Sequence, residues 1–248
     1  MDRIIYTAMN GAQRLLEQQS AVSNNLANIN TTGFREQLAI QRAVPLQGGA
    51  LLPTRVGTAT VTPGTKNEQG ALAETGSPLD VAIRGEGWFA VQTPTGEAYT
   101  RAGDFSVDAN NMLVTKQGYP VLSADGGPVE LPDRGAVTFS TDGQISVLGA
   151  GDNPRDIQIM GQLKLVNPAM TELERGADGW FRLANGAIAQ PDDQVTIVAG
   201  FVEKSNVNAA EAMVAMINNS RRFEMQMKVI SDASTREEKA NSILSSNG

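Results

Sequence analysis

Gly85-Glu86-Gly87-Trp88-Phe89-Ala90 has the glycine spacing of a dinucleotide-binding turn, and Asp108 follows about twenty residues on, where an acidic side chain would hold a ribose hydroxyl. That chemistry needs a helix straight after the glycines, so that its N-terminus faces the pyrophosphate. Residues 88–92 instead alternate as a strand and Pro94-Thr95-Gly96 turns the chain, so the spacing predicts a hairpin and no bound nucleotide. The carboxylates Asp80, Glu86, Asp104, Asp108, Asp142, Asp192 and Asp193 are the raw material of a general acid/base pair. Most stand beside Gly, Asn or Pro, where Asp serves a turn by bonding its own backbone, and no two are singled out by spacing. Residues 104–111 offer oxygen ligands but lack the full D-x-D-x-D-G loop that wraps calcium. Met213, Met216, Met225 and Met227 are the residue type of an adaptable binding groove, yet all but Met225 fall at helical seam positions. The chain has neither His nor Cys, which removes the commonest general base, the Ser-His nucleophile, thiolate metal sites and disulfides. No catalytic, cofactor-binding or metal-binding residue is assigned, and an enzyme is not expected.

The elements that would have to position such residues tell more. Apolar residues at Ile5, Ala8, Ala12, Leu15, Val22, Leu26 and Ile29 are spaced by alternating steps of three and four, with Gln19 alone breaking the series. This is the narrow seam of a coiled coil, on a helix predicted over residues 2–30. Gly11 is its weak point, by roughly 1 kcal/mol relative to Ala. Four Asn and two Thr crowd its end, Gly33 suits a left-handed terminal residue, and Phe34 is placed to fold back onto the last turn. A second seam of the same period runs Met213, Met216, Ser220, Phe223, Met227, Ile230 and Ser234 and recovers at Leu244. Ser205-Asn206-Val207-Asn208 can cap that helix, with Glu211 in its first turn.

Between the helices the periodicity changes twice. Pro45, Gly48, Gly49, Pro53, Gly57, Pro63, Gly64 and Gly70 punctuate a stretch read as an extended arm, with short extended pieces at Val56, Ala59 and Val61. From Leu79 to about Val202 short alternating strands are separated by Asp125-Gly126, Asp142-Gly143 and Asn185-Gly186, the pairs that tight hairpins require. Strands at this spacing predict a barrel or sandwich. The expected organisation is an assembly helix over 1–33, an arm over 34–76, a β-domain over 77–202 and a second assembly helix over 203–248. The fold class is thus a mainly β body between terminal helices that pair as a coiled coil.

Composition agrees with an ordinary folded chain: 41% apolar and 19% charged residues over 248 positions. A net charge of −7 without charge blocks argues against nucleic acid as a partner. No run of about eighteen apolar residues is present to span a membrane. The N-terminus lacks the charged start, long apolar stretch and cleavage site of a secretory signal, as expected of a cytoplasmic protein or of one exported without cleavage.

Four stretches then carry a resemblance over essentially the whole length. Asn24-Asn25-Leu26-Ala27-Asn28 followed by Thr31-Thr32-Gly33-Phe34 is the first. Residues 77–89, opening Ser77-Pro78-Leu79-Asp80, are the second, with Pro78 and Trp88 as departures. Arg101-Ala102-Gly103-Asp104-Phe105 is the third, and Glu203-Lys204-Ser205-Asn206-Val207-Asn208 with Arg221-Arg222-Phe223-Glu224 the fourth. In this order they resemble the flagellar axial proteins of the rod and hook family. The resemblance implies a structural subunit of the basal-body rod, proximal or distal, since a hook protein's additional outer domain has little room here. It implies rod neighbours and copies of the same chain as partners, a place in the periplasm, and export through the flagellar type III apparatus. It also implies terminal helices lining a hollow tube, with the β-body as its outer layer.

Overall fold

Helix α1 spans Asp2–Ala27 and helix α2 spans Ala209–Ser246 in the computed structural model, which describes residues 2–39, 41–45, 56–60, 64–132, 135–148 and 157–246. The chain divides into two units. One holds Met1–Ile29, Glu36–Lys66 and Val207–Gly248, and the other holds Asn30–Arg35 and Asn67–Asn206. Both helices therefore belong to the first unit, where they pack on each other.

Helix α1 ends three residues before the predicted Asn30. The Asn28 amide is shared between the carbonyls of Asn24 (3.1 Å) and Asn25 (3.2 Å), a three-centre bond that tightens the last turn and closes the helix. Gly33 does take a left-handed φ of +66°, but in the turn beyond the helix. Phe34 is buried there under the Arg175 guanidinium, 4.5 Å from its ring. At the other end the Asn208 side chain accepts from the amides of Ala210 (3.0 Å) and Glu211 (3.4 Å), and so caps α2.

The stretch expected to run as an extended arm forms antiparallel ribbon in the first unit. Gln37–Leu38 pairs with Gly64–Thr65, and Gln41–Pro45 pairs with Val56–Thr60. The expected extended residue Val61, together with Gly48, Gly49, Pro53 and Pro63, lies outside the described residues.

The second unit is all β. A five-stranded sheet has the order Leu165–Val166, Trp88–Thr93, Gly96–Thr100, Phe181–Leu183, Leu173–Arg175. A three-stranded sheet joins Ala136–Phe139, Gln144–Leu148 and Ile157–Gln162, with a register shift between Ile145 and Ser146. Trp88–Thr93 is buried on both faces, which is why it reads as a continuous apolar run. Phe89 and Val91 enter a large cluster with Ile83, Leu113, Ile145 and Leu163, while Trp88 and Ala90 enter a smaller one with Tyr99 and Phe181. Each such side chain contributes about 1.5–3 kcal/mol by leaving water, so these clusters hold the body together. Gly85 and Gly87 end one strand and Trp88 starts the next. No helix follows the glycines, and Asp108 instead accepts from the amides of Asn110 (2.9 Å) and Met112 (2.8 Å) in a turn.

Candidate assembly interface

In the first unit, α1 and α2 meet along the seam read from α1. Ala8, Ala12 and Leu15 are buried, and Ile5, Val22, Leu26 and Ile29 are half-buried. Gly11 lies against α2 so closely that a Cβ there would sit 3.0 Å from the Gln226 side chain. A cleft of about 400 Å³ opens beside this point, lined by Gly11, Arg14 and Leu15 on one helix and Arg222, Gln226 and Val229 on the other. Gly11 is a middle residue of α1 and Gln226 a middle residue of α2. The end of α1 and the start of α2 lie together, since the Asn206 amide bonds to the Phe34 carbonyl (3.3 Å), so the helices run antiparallel.

The face α2 turns inward differs from its most apolar heptad stripe. Ala212, Asn219 and Ala233 are buried, and Met216, Phe223, Gln226 and Ile230 are half-buried. The spacing of four and three persists, but Asn219 and Gln226 replace Ser220 and Met227. Met213 and Met227 are 52% and 46% exposed, and the Leu244 side chain lies outside the described residues. Val214, Ile217, Met225 and Val229 are exposed on α2 as well, and Tyr6, Met9 and Leu16 on α1. In the second unit the end strand Ile157–Gln162 likewise exposes Ile157, Ile159 and Met160.

The polar motif residues have structural work. Asn25 is buried at the end of α1, and its amide exchanges two hydrogen bonds with the backbone of Gln37: Nδ2 donates to the carbonyl (2.9 Å) and Oδ1 accepts the amide (2.8 Å). This mimics a strand pair and ties the ribbon to the helix. Asn28 Nδ2 donates to the Asn24 carbonyl (2.9 Å), while Asn24 and Ala27 face outward. Val207 is buried, Ser205 is half-buried, and Asn206 Nδ2 donates to the Glu68 carbonyl (2.8 Å).

Sequence reasoning missed a charged group in the second unit. Glu203, buried, sits between two buried arginines. Its Oε2 accepts from Arg101 Nη1 (3.2 Å), its Oε1 lies 3.0 Å from Arg35 Nη2, and Oε1 also accepts the Gly70 amide (3.0 Å). One further nitrogen of each guanidinium donates to carbonyls, Arg101 Nη2 to Gly85 (2.6 Å) and Arg35 Nη1 to Asn67 and Glu68, while both Nε atoms are buried without a partner. Burial lowers both arginine pKa values against the pull of Glu203, and that of Arg101 falls to about 10, which leaves Arg101 cationic near neutrality. Gly33 fits only as glycine, because its amide donates to the Glu203 carbonyl (2.7 Å) and a Cβ would lie 2.2 Å from the Ala102 nitrogen. The signal available in the sequence was that Arg35, Arg101 and Glu203 each adjoin or begin one of the resembling stretches.

Three family models match the same stretches. Residues 5–35 match the flagella basal body rod protein, 82–147 the flagellar hook protein FlgE/F/G D1 domain, and 198–243 the flagellar basal body rod FlgEFG protein C-terminal region. The chain is 45% identical to the flagellar basal-body rod protein FlgF of Escherichia coli (strain K12) and 44% identical to that of Salmonella typhimurium, over 99% of each chain in both cases. It is 31% identical to the rod protein FlgG of Bacillus subtilis, over 93% of this chain and 94% of the relative. The chain belongs to the flagellar basal-body rod family. As a member of that family it is a structural subunit of the bacterial flagellar basal-body rod. Each of the three matched regions of the rod protein contributes one member of the Arg35–Glu203–Arg101 group, so a single buried carboxylate joins all three. Among the described residues no helix is long and apolar enough to cross a membrane.

Proposed function

We propose that this rod subunit polymerises through its terminal helices, using Ile5, Ala8, Ala12, Leu15, Val22, Leu26 and Ile29 with Met213, Met216, Phe223, Met227, Ile230 and Leu244, and builds part of a hollow drive shaft. The observation that carries this is the apolar side chains left exposed on both helices after α1 and α2 have packed on each other, Tyr6, Met9 and Leu16 on one and Met213, Ile217 and Met227 on the other. Exposed apolar surface of this kind calls for a covering partner. Contacts that join different patches on successive subunits extend into a helical assembly instead of closing as a dimer. The neighbours are copies of this chain and other rod subunits. Residues 1–33 and 203–248 serve as assembly helices, 34–76 as an arm reaching adjacent subunits, and 77–202 as the β-domain. The motif residues Asn24, Asn25, Leu26, Ala27, Asn28, Gly33, Phe34, Ser205, Asn206, Val207 and Asn208 hold the helix ends. The role is mechanical and not enzymatic, without nucleic acid or cofactor. The working place is the rod within the periplasm, reached through the flagellar type III export apparatus.

The test is complementation of cells that lack their own copy. Wild-type chain restores swimming; Met213→Asp/Met227→Asp is exported and folds but does not. Swimming at wild-type speed in that variant would rule out the exposed stripe as an assembly surface.

A further inference from the structure

Arg101, 3% exposed, leaves one donor over. Its Nη1 bonds Glu203 and its Nη2 the Gly85 carbonyl, but the buried Nε has no hydrogen-bond partner. Buried polar groups are almost always satisfied, so an orphaned donor calls for an explanation. The side chain is not free to turn elsewhere. Both terminal nitrogens are held, and the guanidinium carbon sits 5.6 Å from the centroid of the Trp88 ring. Arg101 and Trp88, both buried, line a cavity of about 380 Å³ in the β unit. Asn67, Glu86 and Asn167 line the same cavity and are exposed, so it opens toward solvent past polar groups.

The lining carries one charge of each sign, on Arg101 and Glu86, so it attracts neither an anion nor a cation outright. An entering carboxylate would meet Glu86, and an entering ammonium would meet Arg101. A neutral group with an oxygen acceptor for the guanidinium and an N–H donor for the carboxylate satisfies both. An amide has the two on neighbouring atoms. Hydrogen bonds of this kind, with one partner charged, are about twice as strong as neutral ones. The carboxamides of Asn67 and Asn167 can each offer a further donor and acceptor, and Met170 adds an apolar wall for an aliphatic stem. The volume is near the lower end for ligand sites, about 300–1,000 Å³, which suits a side chain or a short loop.

We propose that this cavity is a binding site for a neutral amide, presented by a neighbouring rod subunit as a carboxamide side chain or an exposed peptide group. Its oxygen accepts from Arg101 Nε and its N–H donates to Glu86. The buried arginine thus has two uses, holding Glu203 on one side and receiving a neighbour on the other. The identity of the neighbour rests on the assembly reading above, and the amide chemistry does not, so the two are tested apart.

The Nε–H of Arg101 gives its own signal in nitrogen–proton correlation NMR spectra, which reads the site without touching the arginine. Acetamide is the probe in purified full-length chain, with sodium acetate and methylammonium chloride as charged counterparts at equal ionic strength. Acetamide is expected to shift the Arg101 signal saturably and to bind about tenfold more tightly than either ion, the scale of one hydrogen bond to a charged group. Glu86→Gln removes the exposed carboxylate and moves the preference to acetate. Ala169→Trp, which fills the cavity from an exposed lining position, abolishes the saturable shift. No saturable shift with acetamide, acetate binding as tightly as acetamide to the wild-type chain, or an acetate affinity unmoved by Glu86→Gln would each overturn the amide site. In cells lacking their own copy, Ala169→Trp is expected to be exported and folded without restoring swimming. Normal swimming would overturn the neighbouring subunit as the occupant and leave a free small amide as the only source. Failure of the assembly reading would appear separately, as swimming of Met213→Asp/Met227→Asp with acetamide binding intact.

Discussion

Glu203 holds two guanidinium groups where water does not reach, and neither arginine can follow if the carboxylate is removed. Replacing one member of such a group leaves buried charge uncompensated, which costs more than the intact group contributes. Glu203→Gln is therefore expected to destabilise the β unit by about 3–5 kcal/mol, read by urea unfolding followed through Trp fluorescence. Substituting Arg182 is a contrasting case. Its bidentate pairing with Asp178 (2.6 and 3.0 Å) is partly open to solvent, and the arginine lowers the carboxylate's pKa from 3.8. A depressed carboxylate adds stability that is fully present above its unfolded value and is lost as pH falls through the folded one. Acid unfolding between neutrality and about pH 2 should thus show a contribution that disappears below pH 3.8, and Asp178→Asn should reduce the number of protons taken up on unfolding there. A titration slope unchanged by that substitution would contradict the assignment.

At the scale of the elements, α2 is a helix with two adjacent apolar stripes. Phe223 belongs to the face packed on α1 and Met227 to the exposed one, four residues apart. An aspartate at each position should separate folding from assembly. Phe223→Asp is expected to loosen the helix pair and lower its thermal midpoint, since it places a charge in the seam. Met227→Asp should change the stability of the pair by no more than about 0.5 kcal/mol and so leave that midpoint nearly unmoved, as for an ordinary surface change. Helical circular dichroism on heating distinguishes them, and equal losses would mean that α2 packs by a different face. On α1 the predicted seam residues Ala8, Ala12 and Leu15 are buried, and its other members are half-buried. The seam of α2 was half legible: Met216, Phe223 and Ile230 are common to both stripes, and nothing local states whether Asn219 or Ser220 completes the inner face. The ribbon of Gln41–Pro45 with Val56–Thr60 is not legible in the sequence for a related reason. Its pairing joins residues such as Gln41 and Thr60, whose partnership is not encoded in either strand's own pattern.

The whole molecule consists of a helical unit with a thin seam and a β unit with deep clusters around Phe89 and Tyr99. Units so unequal in buried apolar area should not melt together. Dilute chain is expected to unfold in two steps, with amide exchange along α1 and α2 faster than in Trp88–Thr93, and early proteolytic cuts confined to the helical unit. A single transition by both circular dichroism and Trp fluorescence would show that the two units are energetically one. Within the rod, neighbours that cover the outward stripes would raise the first step toward the second by mass action.

Period and turn chemistry by themselves predicted the two terminal helices around a β body and the hairpin of Trp88–Thr93 with Gly96–Thr100, because each depends on residues within a turn or two of one another. Tertiary structure alone decided which stripe of α2 faces inward and which two arginines meet around Glu203. Those outcomes depend on what lies opposite: helix α1 for one and Arg35 and Arg101 for the other. A helix's own pattern can offer two faces, but only the surface it meets chooses between them.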